Sequence, residues 1–283
     1  MMIWRHRKDP SGRGTPSPFP RSAFPLSLLA LFAAILLLSA CDDGGEQLLQ
    51  RANDEWIKGR NHSAIEMFKT VLKKYPSGPS AEEALFRLGE IYHFSLNDSA
   101  KAIIFFQELL DLNRKGPFSY GAQKHIAEIV EFGFKDYNQA IIEYQNLINN
   151  YAGRGENANH QFRIASIYYK IQNYEQAAAE LDVLLEKYSD SPIAEEAEFK
   201  LIEILYALNR CDAVRTHYGR YAAKYPGSRH RAEVEFVIAS CLEDEGHLQE
   251  AYERFKGLEN DYQYPPLLKM KLEGIEKRIQ KKR

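Results

Sequence analysis

Small and large apolar residues recur along the chain with the spacing of a helical repeat. Six alanines are separated by 36 to 38 residues. Four residues after each alanine, on the same face of a helix, the chain carries a large apolar or aromatic residue in five of the six units. Such a period predicts an array of repeats rather than one compact domain. The alanines are Ala64, Ala102, Ala140, Ala177, Ala213 and Ala251.

A second small residue precedes the alanine by about 12 positions in most units. These residues are Ala52, Gly89, Ala127, Ala165 and Ala239, whereas the fifth unit has Leu201. Two helices approach closely only where both carry small side chains, so each unit is predicted to be a helical hairpin. Polar corner segments such as Gly59-Arg60-Asn61 and Glu245-Gly246-His247 interrupt the apolar pattern between the two helices.

The repeat resembles the tetratricopeptide repeat, most clearly at Leu88-Gly89-Glu90-Ile91-Tyr92. The resemblance covers residues 48–264 and implies an all-α, superhelical solenoid of about six hairpins. After Pro265-Pro266 a final amphipathic helix is expected over residues 265–283. A solenoid needs a polar outer face at its end, so we interpret this helix as a cap, with a membrane-binding or partner-binding tail as the alternative.

The N-terminal 40 residues have the layout of an export signal. Five cationic residues precede an apolar run from Leu26 to Leu38, which would be about 20 Å long as a helix and too short to span a bilayer core of about 30 Å. Leu38-Ser39-Ala40-Cys41 resembles the lipobox of bacterial lipoproteins. The resemblance implies removal of residues 1–40, lipidation of Cys41 and a tether over residues 41–47, at most about 20 Å when extended. An ordinary signal peptide with a chance cysteine is the alternative.

Charge and motif content argue against nucleic acid and against catalysis. The net charge is −2, and it becomes −6 without residues 1–40, which carry five cations and one carboxylate. No basic stripe with interleaved aromatic residues attracts nucleic acid. The eight histidines form no HExxH pair, no glycine-rich loop follows a strand, and the paired carboxylates have surface spacing. We therefore expect no catalytic residues, no metal, no cofactor and no small-molecule substrate.

Two cysteines remain besides Cys41. Cys211 opens the second helix of the fifth unit, and Cys241 lies late in the first helix of the sixth. If these helices run antiparallel about a turn near Gly227, the two thiols lie close together. An exported protein can keep a disulfide, so the sequence leaves two alternatives, a Cys211–Cys241 bridge or two buried free thiols.

The expected function is protein binding, because stacked hairpins form a concave face that can hold a segment of another protein. In similar repeats the residues near the end of each first helix lie toward that groove, and aromatic side chains there are natural anchors for a partner. The candidates are Trp56, Phe94, Phe132, Tyr169 and Tyr206. Packing between neighbouring hairpins is the alternative role for each of them.

The lipobox and the long repeats together resemble envelope lipoproteins of the outer-membrane assembly BamD family, although that family typically has five units. The resemblance implies a lipid-anchored periplasmic scaffold whose partners are outer-membrane assembly components. One alternative is a Tol-Pal-associated coordinator of cell division or the cell wall, but no coiled coil precedes the repeats here. Another is a noncatalytic docking subunit of an envelope enzyme or secretion complex. The family resemblance favours the outer membrane, whereas Asp42 after Cys41 resembles an inner-membrane retention signal.

Overall fold

The computed structural model describes residues 43–282, which form thirteen α-helices and no strands. The predictions for residues 1–42, including Cys41 and Asp42, lie outside the described residues. The chain divides into two units, Met1–Gln47 and Leu48–Arg283. The helices are α1 (Asp43–Ile57), α2 (Asn61–Lys74), α3 (Pro79–Glu90), α4 (Ser99–Leu112), α5 (Ser119–Glu128), α6 (Tyr137–Asn150), α7 (Asn157–Lys170), α8 (Tyr174–Lys187), α9 (Ala194–Ala207), α10 (Cys211–Lys224), α11 (Arg231–Asp244), α12 (Leu248–Lys256) and α13 (Pro265–Lys282).

Each odd-numbered helix from α1 to α11 pairs with the following even-numbered helix, which gives hairpins 1 to 6. The prediction of an all-α superhelical solenoid is confirmed. One boundary differs, because α1 begins at Asp43, so residues 43–47 are helical rather than part of an extended tether. Short π-helical segments, Ile91–Ser95 and Ile129–Phe134, extend α3 and α5.

Every hairpin corner contains one residue in the left-handed backbone region. Four of these six residues are not glycine. In three of those four corners, the next residue caps the following helix, because its side chain accepts a hydrogen bond from a backbone N–H of that helix. Asp98, for example, accepts from Lys101 N at 3.1 Å. The helix break is therefore encoded by the corner residue together with the cap. The six corner residues are Gly59, Asn97, Lys135, Gln172, Asn209 and Gly246.

Hairpin 2 contains the predicted contact between a small and a large side chain. A Cβ atom added to Gly89 would lie 2.7 Å from Cδ1 of the fully buried Phe106. The prediction was wrong by one residue in hairpin 5. Val214, five residues after its corner residue, is fully buried, while Ala213 is only partly buried. With Val214 in place, the last three repeats are all 37 residues long.

Two features hold the C-terminal end of the array. Leu268 and Ile275 of α13 are buried against the core of hairpin 6, whereas Leu267 is exposed. Lys271 of α13 also pairs with Glu243 of α11 at 2.7 Å. Cys211 and Cys241 are joined by a disulfide between α10 and α11, with their Cα atoms 5.6 Å apart.

Candidate functional site

The five aromatic residues singled out from the sequence occupy one structural position. Each lies three residues before the left-handed corner residue of its hairpin, near the end of the first helix. They therefore recur once per hairpin along the same side of the array. We call this set the aromatic ladder; it consists of Trp56, Phe94, Phe132, Tyr169 and Tyr206.

The two π-helical segments keep this alignment. Trp56 follows the small residue Ala52 by four positions, but Phe94 follows Gly89 by five. The extra residue is accommodated in Ile91–Ser95, and the same happens before Phe132 in Ile129–Phe134. Without the wider π turn, the side chains of Phe94 and Phe132 would be rotated away from the ladder by about 100°.

The members of the ladder differ in exposure. Phe94, Phe132 and Tyr169 are 62%, 57% and 42% exposed. Trp56 and Tyr206 are partly buried against the cores of their own regions, and the Tyr206 hydroxyl donates a hydrogen bond to Asp244 at 3.1 Å. Packing between hairpins therefore buries much of the Trp56 and Tyr206 side chains. The rings of Phe94, Phe132 and Tyr169 remain accessible to solvent.

Four rings of the ladder contact a basic side chain from the first helix of the following hairpin. The partner lies 31 residues later in each case. A cation over a ring face is attracted by the ring quadrupole, which fixes the orientation of both groups. The pairs are Trp56 with Arg87 at 5.8 Å, Phe94 with the His125 ring at 5.5 Å, Phe132 with Arg163 at 4.8 Å and Tyr169 with Lys200 at 5.3 Å.

Three of these basic groups are already neutralised by carboxylates of the array. Arg87 pairs with Glu90 at 2.8 Å, and Lys200 pairs with Glu203 at 2.6 Å. Arg163 forms an ion pair with Glu131, which is buried. Because their charges are matched within the protein, these cations orient the rings but leave little net positive charge for a ligand.

The Glu131–Arg163 pair also links hairpins 3 and 4. The hydroxyl of Tyr144, on α6, donates a hydrogen bond to Glu131 at 2.8 Å. Burial, together with this hydrogen bond to a carboxylate, raises the pKa of Tyr144 well above its usual range, so the phenol stays protonated and serves as a donor. The network satisfies a charge that would otherwise be costly to bury.

His125 differs from the other three basic groups because it carries no charge at neutral pH. Burial is the main cause and lowers its pKa to about 4, with a smaller contribution from the charges of His93 and Lys124. Its ring stacks on Phe106 at 5.1 Å. Its Nδ1 lies 3.8 Å from the Glu128 carboxylate, so this contact is not an ion pair near pH 7.

Glu128 is consequently a carboxylate next to the ladder whose nearest basic group is uncharged. Burial raises its pKa, and the more distant charges of Lys124 and Arg163 offset this effect only in part. No lysine or arginine forms an ion pair with it within the part of the chain that the structure describes. Its side chain remains 41% exposed. The carboxylate is thus available to an external cation.

The basic groups and Glu128 were not among the residues predicted from the sequence. A signal was present, since Arg87, His125, Arg163 and Lys200 recur at the same 37- to 38-residue period as the alanines. Within residues 43–282 there is no group of three or more side chains suited to a metal. The same described range contains no helix of the length and apolar character that crossing a membrane requires.

Comparisons with known proteins agree with this architecture. Tetratricopeptide-repeat family models match residues 49–119 and residues 161–191. No curated protein sequence matches the chain.

Three solved structures illustrate the similarity of this chain to known folds. The crystal structure of YrrB, "a TPR protein with an unusual peptide-binding site", has a TM-score of 0.50 at 15% identity and covers 72% of this chain and 96% of that one. The structure of Naa15/Naa10 bound to HypK-THB has a TM-score of 0.60 at 18% identity, covering 87% and 36%. A tetratricopeptide repeat protein from Parabacteroides merdae ATCC 43184 has a TM-score of 0.47 at 17% identity, covering 82% and 98%. The chain therefore contains tetratricopeptide repeats in the two matched segments, and its six hairpins have the fold of a tetratricopeptide-repeat solenoid.

Proposed function

We propose that this protein is a scaffold that binds other proteins through the aromatic ladder. The observation that carries the proposal is the exposure of Phe94, Phe132 and Tyr169 in one column. Large rings that contact neighbouring side chains yet stay open to solvent supply binding energy with little loss of conformational freedom. Isolated exposed apolar residues are common, but a column at one structural position is the pattern of an interaction surface.

We further propose that the scaffold is a lipoprotein of the bacterial cell envelope, anchored through Cys41 and facing the periplasm. The support is the sequence alone, namely the apolar run that ends at Leu38-Ser39-Ala40-Cys41. Two or three acyl chains would hold the protein on a membrane almost permanently. In this proposal the partners are outer-membrane assembly components, as the resemblance stated above implies.

Lipid attachment is tested by metabolic labelling with a radioactive or alkyne-modified palmitate. The full-length protein is expected to incorporate label and to fractionate with membranes, while Cys41→Ser does neither. Separation of the two membranes then assigns the protein to one of them. An unlabelled wild-type protein that stays in the soluble fraction would contradict the anchored scaffold.

Partner binding is tested by affinity purification from solubilised membranes with three forms of the protein. The wild type is compared with the Phe94→Ala, Phe132→Ala double variant and with Ile142→Ala, which truncates an exposed apolar residue of α6 outside the ladder. We expect the double variant to lose partners that the other two retain. Recovered outer-membrane assembly components would support the specific proposal, whereas Tol-Pal or secretion components would favour the alternatives. Equal recovery by all three forms would refute the ladder as the binding surface.

A further inference from the structure

The most exposed part of the ladder, between hairpins 2 and 3, is also the part with unmatched negative charge. Four carboxylates lie along this part of the first helices; two guanidinium groups accompany them, and the nearby Lys124 is paired with Glu156 at 2.9 Å. The basic position in hairpin 3 is His125, which is neutral for the reasons given above. The carboxylates are Glu83, Glu90, Glu128 and Glu131, and the guanidinium groups are Arg87 and Arg163.

Contacts join the exposed rings and the uncompensated carboxylate into one surface. The Phe94 ring meets the His125 ring edge-on at 5.5 Å, and the Glu128 carboxylate lies 3.8 Å from the same imidazole. Phe132 follows Glu128 by one turn, and the Arg163 guanidinium covers one face of its ring. An apolar surface with a single available negative charge at its centre is thus formed by residues from two hairpins.

We propose that the surface of Phe94, Glu128 and Phe132 binds a segment of a partner protein that places an apolar side chain against the two rings and a lysine or arginine side chain against the Glu128 carboxylate. The inference rests on the proposed function and adds the chemistry of the partner. Charge complementarity is the reason, since a cation gains from the Glu128 carboxylate that the array leaves unmatched, while an acidic segment is repelled by it.

A single unmatched carboxylate also favours one register of the partner over others. A partner that carried only apolar side chains would leave Glu128 covered and without a counter-charge, which is costly. A basic side chain next to the apolar one removes this cost. Glu128 therefore acts as a selector of partner sequence, and Phe94 and Phe132 supply most of the contact area.

The test uses three dye-labelled synthetic peptides of equal length, made of leucine with lysine, leucine with serine, or leucine with glutamate. Binding is followed by fluorescence anisotropy near physiological salt. We expect the lysine peptide to bind about 10-fold more tightly than the serine peptide, and the glutamate peptide to bind more weakly than both. Equal affinity of the lysine and glutamate peptides, or no binding of the lysine peptide at millimolar concentration, would overturn the inference.

Substitution of the carboxylate separates this inference from the proposed function. Glu128→Gln is expected to weaken the lysine peptide about fivefold and to leave the serine peptide unchanged. The matched control is Glu66→Gln on α2, whose side chain is 73% exposed and outside the ladder, and which should change neither affinity. Thermal unfolding by circular dichroism verifies that both variants fold, and we expect no loss of stability for Glu128→Gln because it removes a partly buried charge.

The two proposals fail differently. If Glu128→Gln leaves the affinity of the lysine peptide unchanged while the Phe94→Ala, Phe132→Ala variant loses its cellular partners, the charge selection is wrong and the scaffold proposal stands. If the aromatic double variant keeps both its cellular partners and its affinity for the lysine peptide, both proposals are wrong.

Discussion

The close contact between Gly89 and Phe106 gives the sharpest prediction about the fold. The Phe106 ring is fully buried and held by neighbouring rings, with Phe86 at 5.8 Å and His125 at 5.1 Å. In Gly89→Ala the new methyl group would lie within 3.0 Å of three ring atoms, so either the ring or helix α3 must move. We expect overpacking to cost about 2–3 kcal/mol, offset by about 1 kcal/mol from the better helix propensity of alanine. The net loss of unfolding free energy is about 1–2 kcal/mol.

The same substitution at Gly219 is the matched control. Gly219 lies in α10, is exposed, and has no atom within 4 Å of an added Cβ. Gly219→Ala should therefore stabilise the protein by up to about 1 kcal/mol, from helix propensity alone. Urea unfolding followed by circular dichroism measures both effects. If Gly89→Ala stabilises the protein as much as Gly219→Ala does, the packing argument is refuted.

A double-mutant cycle tests the cause directly. Hairpin 4 carries Ala165 and Leu181 at the positions of Gly89 and Phe106, so a leucine provides room for the methyl group. Phe106→Leu alone is expected to cost about 1–2 kcal/mol through the space it leaves. The double variant Gly89→Ala, Phe106→Leu should be more stable than the sum of the two losses implies, by at least about 1 kcal/mol. Strict additivity would show that the two residues do not compete for space.

Further changes test the disulfide, the buried histidine and the hairpin corners. The Cys211–Cys241 disulfide closes a loop with a sequence separation of 30, so its reduction should lower the free energy of unfolding by about 3–4 kcal/mol. Urea unfolding with and without reductant measures this loss. Alkylation of both thiols before reduction would exclude the bridge. Because the folded pKa of His125 is about 4 and the reference value is 6.5, the unfolded chain binds the proton first, so stability should fall by about 2 kcal/mol between about pH 7.5 and pH 5. His125→Gln should flatten that pH profile, and an unchanged profile would contradict the assignment. Lys135→Gly should stabilise the corner by about 0.5–1 kcal/mol in thermal unfolding, while Gly246→Ala at φ 85° should destabilise by about 1 kcal/mol or more.

The periodic pattern predicted most of the fold because helix packing depends on local features. Apolar spacing shows which face of each helix is buried, and a small residue shows where two helices approach. The same reasoning failed in hairpin 5, where Ala213 was chosen although Val214 occupies the buried position. A search for alanine alone could not distinguish the two, since either small aliphatic residue suits a helix face. The corner residue Asn209 fixes the correct register.

The ladder itself was predictable, but its chemistry was not. Trp56, Phe94, Phe132, Tyr169 and Tyr206 were identified from their position in the repeat, yet their common register depends on the π-helical turns. Such turns insert a residue without changing the apolar pattern enough to be seen in the sequence. The exposure of the rings likewise differs from hairpin to hairpin because each neighbour covers a different fraction of the ring.

By itself the sequence determined the architecture and the approximate position of the aromatic residues, and it left a bridge and two free thiols as alternatives at Cys211 and Cys241, which the structure decides in favour of the bridge. Only the tertiary structure decided which ring meets which basic side chain, that His125 is uncharged, and that Glu128 lacks a counter-charge. The physical reason is that the two sets of properties arise from interactions of different range along the chain. Helices and hairpins follow from interactions within one hairpin, whereas cross-hairpin pairing, and the burial and pKa values that depend on it, arise from groups of neighbouring hairpins that meet only when the hairpins stack.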